Sequence, residues 1–208
     1  MKFNPNKHDR KSLRLIAYDY GQIGDYFVTI CTENKECFLG NIRNHKMYLS
    51  EIGKIAHKYW KEIPEHFPHF KLDEFIVMPN HIHGIVTITE NMVGAQNMVG
   101  AQNFAPLRDH KNKFGPQSKN LSSIVRGFKM AVTKYAKMND ISFAWQRAFY
   151  DHIIRDEKSF NNIREYIRNN PLCWEENSEN VDYLPQISNT EREKRANRYY
   201  KDLFCGNK

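Results

Sequence analysis

The chain has 208 residues, of which 40% are hydrophobic and 13% aromatic, a supply sufficient for one sizeable core. A mean hydropathy of −0.72, with no apolar run near the roughly 20 residues of a membrane span, argues against an integral membrane protein. The net charge of +7 suits a polyanionic partner such as DNA or RNA, although the surplus is spread along the chain and does not resolve a patch.

Residues 1–20 are polar and basic, with Lys2, Lys7, Arg10, Lys11 and Arg14, and read as an arm that orders on a partner. No apolar segment follows the charges of MKFNPNKHDRK, so no secretory signal is expected. A main domain is expected over 21–174. Its first strand lies at Tyr26–Cys31, rich in β-branched and aromatic residues. Phe38-Leu39-Gly40 and Met47-Tyr48-Leu49 read as a short hairpin. Ser50 then stands as an N-cap before EIGKIAHKYWKEI, where Ile52, Ile55, Ala56, Tyr59, Trp60 and Ile63 recur at helical spacing up to Pro64.

Two strands follow, Leu72–Met78 and His81–Thr89, broken at Pro79-Asn80. Residues 91–96 and 97–102 repeat the hexapeptide NMVGAQ, which reads as a duplication in a long surface loop. A helix is expected over 121–138, a strand over Phe149–Arg155 and a helix over Glu157–Asn169, ended by Pro171. The tail, 175–208, is polar and partly helical. The order β–α–β–β–α–β–α predicts an α+β, ferredoxin-like split βαβ fold with an antiparallel sheet and an added C-terminal helix. Cys31, Cys37, Cys173 and Cys205 form no CxxC pair and read as reduced thiols of a cytoplasmic protein.

Chemistry concentrates in two places. In His81-Ile82-His83, alternation along a strand points both imidazoles to one face, where they can share an ion. With nine histidines in the chain, such a triplet also arises by chance. Tyr166 lies in EKSFNNIREYIRNNP beside the Ile163/Ile167 stripe, with Asn170 one turn on. Taken alone, a tyrosine at this position is more often core packing or surface cover, and Asn170, before Pro171, reads as a helix C-terminal cap. Asp151, His152 and Arg155 lie in a strand-like run. They are either exposed strand positions or phosphate contacts, with Arg155 the best-suited donor.

The segments MPNHIHGIV and WQRAFYDHIIRDEKSFNNIREYIRNNP, with RLIAYDYGQIGDYFVTICT near the start, resemble the REP-associated tyrosine transposases. These lie within the single-tyrosine HUH (IS200-like) transposases. The resemblance covers roughly residues 8–174 and keeps the family's motif order. It implies metal ligands His81 and His83, a nucleophile Tyr166, and a third ligand at Asn170, whose amide oxygen suits Mg²⁺ or Mn²⁺. It further implies nicking and rejoining of single-stranded, hairpin or repeat-derived DNA through a 5′-phosphotyrosine. A homodimer is compatible with it, and the proton acceptor for the tyrosine is unspecified. Arg126, Lys129 and Lys134, at helical spacings, are expected to contact DNA, with a solvated helix face as the alternative. The competing class is an inactive ferredoxin-like module that binds DNA or RNA hairpins.

Overall fold

The computed structural model describes residues 20–89 and 120–174. The basic arm up to residue 19, the duplicated hexapeptide and the tail from 175 lie outside the described residues. The elements run β1 (Gly24–Cys31), β2 (Gly40–Arg43), β3 (Lys46–Leu49), α1 (Glu51–Lys61), α2 (Ile63–His66), β4 (Phe70–Val77), β5 (His81–Ile88), α3 (Leu121–Met138), β6 (Tyr150–Ile154) and α4 (Glu157–Asn169).

Four strands form one sheet in the order β4-β5-β1-β6, and every neighbouring pair is antiparallel. With α1 between β1 and β4 and α3 between β5 and β6, this is the ferredoxin-like split βαβ arrangement expected from the sequence. β2 and β3 form a separate hairpin inserted before α1.

Alternation sorts the two sheet faces. Tyr26, Val28 and Ile30 of β1 join Ile82, Val86 and Ile88 of β5 in the larger core, beneath α1 and α3. Trp60 of α1 is buried against Gly84, where an added Cβ would meet the indole at 2.5 Å. The strand needs glycine there because the indole lies directly on its backbone. Tyr20, expected in the arm, is buried in this core and packs beside Tyr26. On the opposite face, Phe27, Ile85 and Ile154 meet Ile163 and Ile167 of α4 in a smaller core.

Boundaries shift where local chemistry competes with periodicity. β1 starts two residues earlier than the apolar run, at Gly24, and β2 starts at Gly40 rather than Phe38. α1 ends at Lys61, and Pro64 sits in the first turn of α2 instead of stopping α1. A missing N–H costs nothing in a first turn, so the proline starts one helix rather than ending another. Ser50 caps α1 as expected, accepting from the Gly53 N–H at 3.1 Å. No helix among the described residues is long and apolar enough to cross a membrane.

Candidate active site

β5 enters the sheet at His81, so His81 and His83 fall on the face that α4 covers. Both are fully buried, and their ring centroids are 4.4 Å apart. Each ring is held through its Nδ1. The Asn80 Oδ1 lies 2.7 Å from Nδ1 of His81, while Nδ2 of the same amide donates to the Lys35 carbonyl at 3.0 Å. With its NH₂ group so committed, Asn80 presents an oxygen to the ring, and Nδ1 carries the proton. Nε2 of His81 is therefore an unprotonated acceptor, buried and without a hydrogen-bond partner among the described residues. Burial, and secondarily the Lys35 ammonium, push the His81 pKa down to about 3, so the ring is neutral.

His83 stands opposite Thr29 in the register of β1 and β5, and the Thr29 Oγ1 is 2.8 Å from its Nδ1. Its Nε2 lies 2.9 Å from the Tyr166 hydroxyl. Phe27 stacks on the His83 ring at 5.2 Å and meets the Tyr166 ring edge-on at 6.0 Å. The tyrosine is thus wedged at the border of the smaller core, with only its polar end directed at the histidine pair.

α4 brings Tyr166 there for reasons visible along its length. Asp156 caps the helix, accepting from the N–H and hydroxyl of Ser159 at 2.8 Å each, and these bonds lower its carboxyl pKa. Ile163 and Ile167 sit on the sheet, fully buried. On one flank, Arg164 grips Asp73 with two bonds of 2.6 and 2.5 Å, and Arg168 meets Glu74 at 2.7 Å. The paired guanidinium holds the Asp73 carboxyl below its ordinary pKa. Both acids project toward α4 because the β4–β5 register shifts between Leu72 and Phe75. Tyr166 occupies the other flank, and Asn170 caps the helix one turn on, almost fully buried.

The structure therefore brings His81, His83 and Tyr166 together and buries Asn170 at the same helix end. His152 pairs across β1–β6 with Phe27 and so shares this face; burial, then Arg155, lowers its pKa. Arg155 follows β6 and is exposed. Arg126, Lys129 and Lys134 lie on α3, over the other face of the sheet. Arg126 and Lys134 are exposed, whereas the Lys129 ammonium donates to the carbonyls of Gln146, Arg147 and Ala148 at 2.5, 3.3 and 3.3 Å. Asn80 and Thr29 have functional placements that the sequence alone left unassigned. Their signal lay in plain view, in MPNHIH and in VTICT.

A divalent metal fits these residues. Buried imidazoles fixed by partners on their far nitrogens are the usual outer support of a metal site, and the lone pair on Nε2 of His81 is taken by no hydrogen bond among the described residues. Among the described residues no third His, Cys, Asp or Glu completes a cluster. Asn170, buried at the C-terminal end of α4, carries an amide oxygen of the kind that suits a hard divalent cation.

No family model matches the chain. An uncharacterized protein of Haemophilus influenzae is 45% identical over 185 residues, 87% of this chain and 98% of that protein. A putative REP-associated tyrosine transposase of the same organism is 29% identical over 154 residues, 74% of this chain and 73% of its own length. Among solved structures, a REP-associated tyrosine transposase bound to a REP hairpin aligns with a TM-score of 0.49 at 21% identity, covering 78% of this chain and 73% of the other. A putative transposase from Deinococcus radiodurans aligns with a TM-score of 0.38 at 14% identity, covering 76% of this chain and 97% of the other. The chain belongs to one family with the uncharacterized protein. The second relative bears the name of the family that the chain's motifs resemble.

Proposed function

We propose that this chain is a REP-associated tyrosine transposase that nicks and rejoins single-stranded DNA with Tyr166 as nucleophile. The observation that carries the reading is the 2.9 Å approach of the Tyr166 hydroxyl to Nε2 of His83, beside the Nε2 of His81, which has no hydrogen-bond partner among the described residues. A tyrosine kept for packing would satisfy its hydroxyl on any nearby acceptor; here the partner is one of two histidines that share a buried face. An inactive binding module has no use for the arrangement.

His81, His83 and the Asn170 amide oxygen would hold Mg²⁺ or Mn²⁺, which would polarise the scissile phosphate and fix its orientation. The chain's own residues do the rest. Asn80 and Thr29 fix the histidine rings, and Phe27 fixes the phenol ring. The Tyr166 oxygen attacks phosphorus in line, forming the tyrosyl O–P bond as the P–O3′ bond breaks. The phenol, whose ordinary pKa is about 10, gives up its proton, and the departing 3′ oxygen takes one. The product is a 5′-phosphotyrosine and a free 3′-OH. Attack by another 3′-OH reverses the step, rejoins the strands and restores the phenol without ATP. His152 and Arg155, on and just after the neighbouring β6, would meet the phosphates beside the break.

Incubation of the protein with a labelled single-stranded hairpin oligonucleotide should give an SDS-resistant adduct in Mg²⁺ or Mn²⁺ and none with chelator. Tyr166→Phe should abolish the adduct and cleavage while leaving binding nearly intact. Full cleavage by that variant, or indifference of the wild type to chelator, would sink the reading. The same reading places the protein with DNA in the bacterial cytoplasm. Native mass with and without the oligonucleotide decides between monomer and homodimer.

A further inference from the structure

α4 ends at Asn169, ahead of Pro171, yet the chain keeps turning in the helical sense as far as Cys173. The Leu172 and Cys173 N–H groups donate to the Asn169 carbonyl at 3.0 and 3.3 Å. Tyr166, Asn170 and Trp174, each four residues from the next, therefore fall on one flank. Leu172 and Cys173 are exposed, whereas Trp174 keeps only 8% of its surface in contact with solvent. Among the described residues it joins neither apolar core. The ring it meets is His81, at 6.1 Å between centroids and a tilt of 35°, within the range of favourable ring contacts. Phe27 covers His83 in the same manner, at 5.2 Å and 28°. Four rings thus stand in a row, Tyr166, His83, His81 and Trp174, with successive centroids 5.1, 4.4 and 6.1 Å apart.

We propose that Trp174 is a positioning residue of the reaction: its indole holds the His81 ring in its ligating orientation and walls that end of the metal position from water. The proposal rests on the reading that the histidine pair holds a divalent cation. Asn80 tethers His81 at Nδ1 by one hydrogen bond, which fixes a point of the ring and not its plane. A flat ring laid against the imidazole fixes the plane. Thr29 and Phe27 divide the same two tasks at His83. The apolar surface beside a metal position also sets how much water reaches it. Where water is kept out, a cation acts on a phosphate with less screening. The indole shares its flank with Tyr166, so the seat of His81 and the reach of the nucleophile are set by one element.

The test uses the full chain with Mn²⁺ alone, then with Mn²⁺ and the labelled hairpin oligonucleotide. Trp174→Phe keeps a flat ring, and Trp174→Leu keeps only apolar bulk. In calorimetry, Mn²⁺ binding should weaken by about tenfold or more in Trp174→Leu and stay near the wild-type value in Trp174→Phe. Adduct formation by Trp174→Leu should recover at saturating Mn²⁺, because Tyr166 is intact. Mn²⁺, a paramagnetic quencher, should dim part of the tryptophan emission of wild type and none of that of Trp174→Phe. Trp60 and Trp145 lie in or against the larger core, on the other face of the sheet. Equal Mn²⁺ affinity in all three proteins would overturn the proposal. An equal loss in Trp174→Phe and Trp174→Leu would overturn it too, since the plane of the ring would then not matter. If a thermal melt shows that Trp174→Leu does not fold, the emission decides: quenching that Trp174→Phe removes supports the proposal. Quenching that persists in Trp174→Phe, or that wild type lacks, overturns it. Quenching in wild type without an adduct would remove the nicking reading and leave the indole in place. An adduct in Mn²⁺ without quenching would do the reverse.

Discussion

The two long helices after β5 differ in what their cations do. α4 turns Arg164 and Arg168 onto Asp73 and Glu74, so its basic side chains are neutralised locally. α3 leaves Arg126, Lys134 and Lys137 without ion pairs among the described residues, over a groove without acids. A net charge of +7 therefore says little by itself. What decides a cation's role is whether a carboxylate or carbonyl stands within reach. The helix that carries the candidate nucleophile spends its charge on being placed. The helix on the opposite face keeps its charge for something outside the protein.

The sharpest way to break that contrast is at the tyrosine. Tyr166→Phe should lower nicking by at least about a thousandfold, with DNA affinity and its salt slope unchanged, as read by adduct formation beside anisotropy. A fall in affinity on the same scale would mean that α4 binds rather than reacts. Next in size is the support of the histidines. Asn80→Ala and Thr29→Val should each weaken Mn²⁺ binding by about 10–100-fold, measured by calorimetry on the full chain, without a matching fall in DNA affinity.

Lys129→Met should separate the fastener on α3 from its neighbours. The substitution removes three hydrogen bonds to carbonyls, so stability in thermal melts should fall by about 1–3 kcal/mol. The salt slope should change less than in Lys134→Glu/Arg147→Glu. The smallest effect concerns the pair on α4. Arg164 and Asp73 are partly exposed, so water screens their attraction and their mutual stabilisation should be small. The Asp73 carboxyl is held below its ordinary 3.8 by Arg164. The stabilisation is therefore complete above pH 4 and is lost as pH falls through the lower, folded-state pKa. Urea melts of Asp73→Asn should show less acid sensitivity than wild type below pH 4 and no difference in slope with pH at neutrality.

The sequence was informative where periodicity and spacing carry the signal. The split βαβ order, the paired faces of His81 and His83, and the one-turn step from Tyr166 to Asn170 all follow from local repeats. What escaped it was non-local. That Thr29 stands opposite His83 is a matter of strand register, and no count along one strand supplies it. The Asp73-Glu74 projection depends on a register shift that looks like a lapse in alternation. Lys129 sits at the same helical spacing as its exposed neighbours, and only the approach of the 146–148 carbonyls distinguishes it. Pro64 misled because a proline ends one helix or opens another with the same chemistry.

The shifted register on β4 has a mechanical consequence. α4 rests on Ile163 and Ile167 as on a pivot, with two arginines tethered to one side and the phenol hanging from the other. Rotation about the pivot that slackens the tethers must also move the hydroxyl relative to the sheet. Acidic residues at the far edge strand thereby set the reach of an oxygen that they never touch.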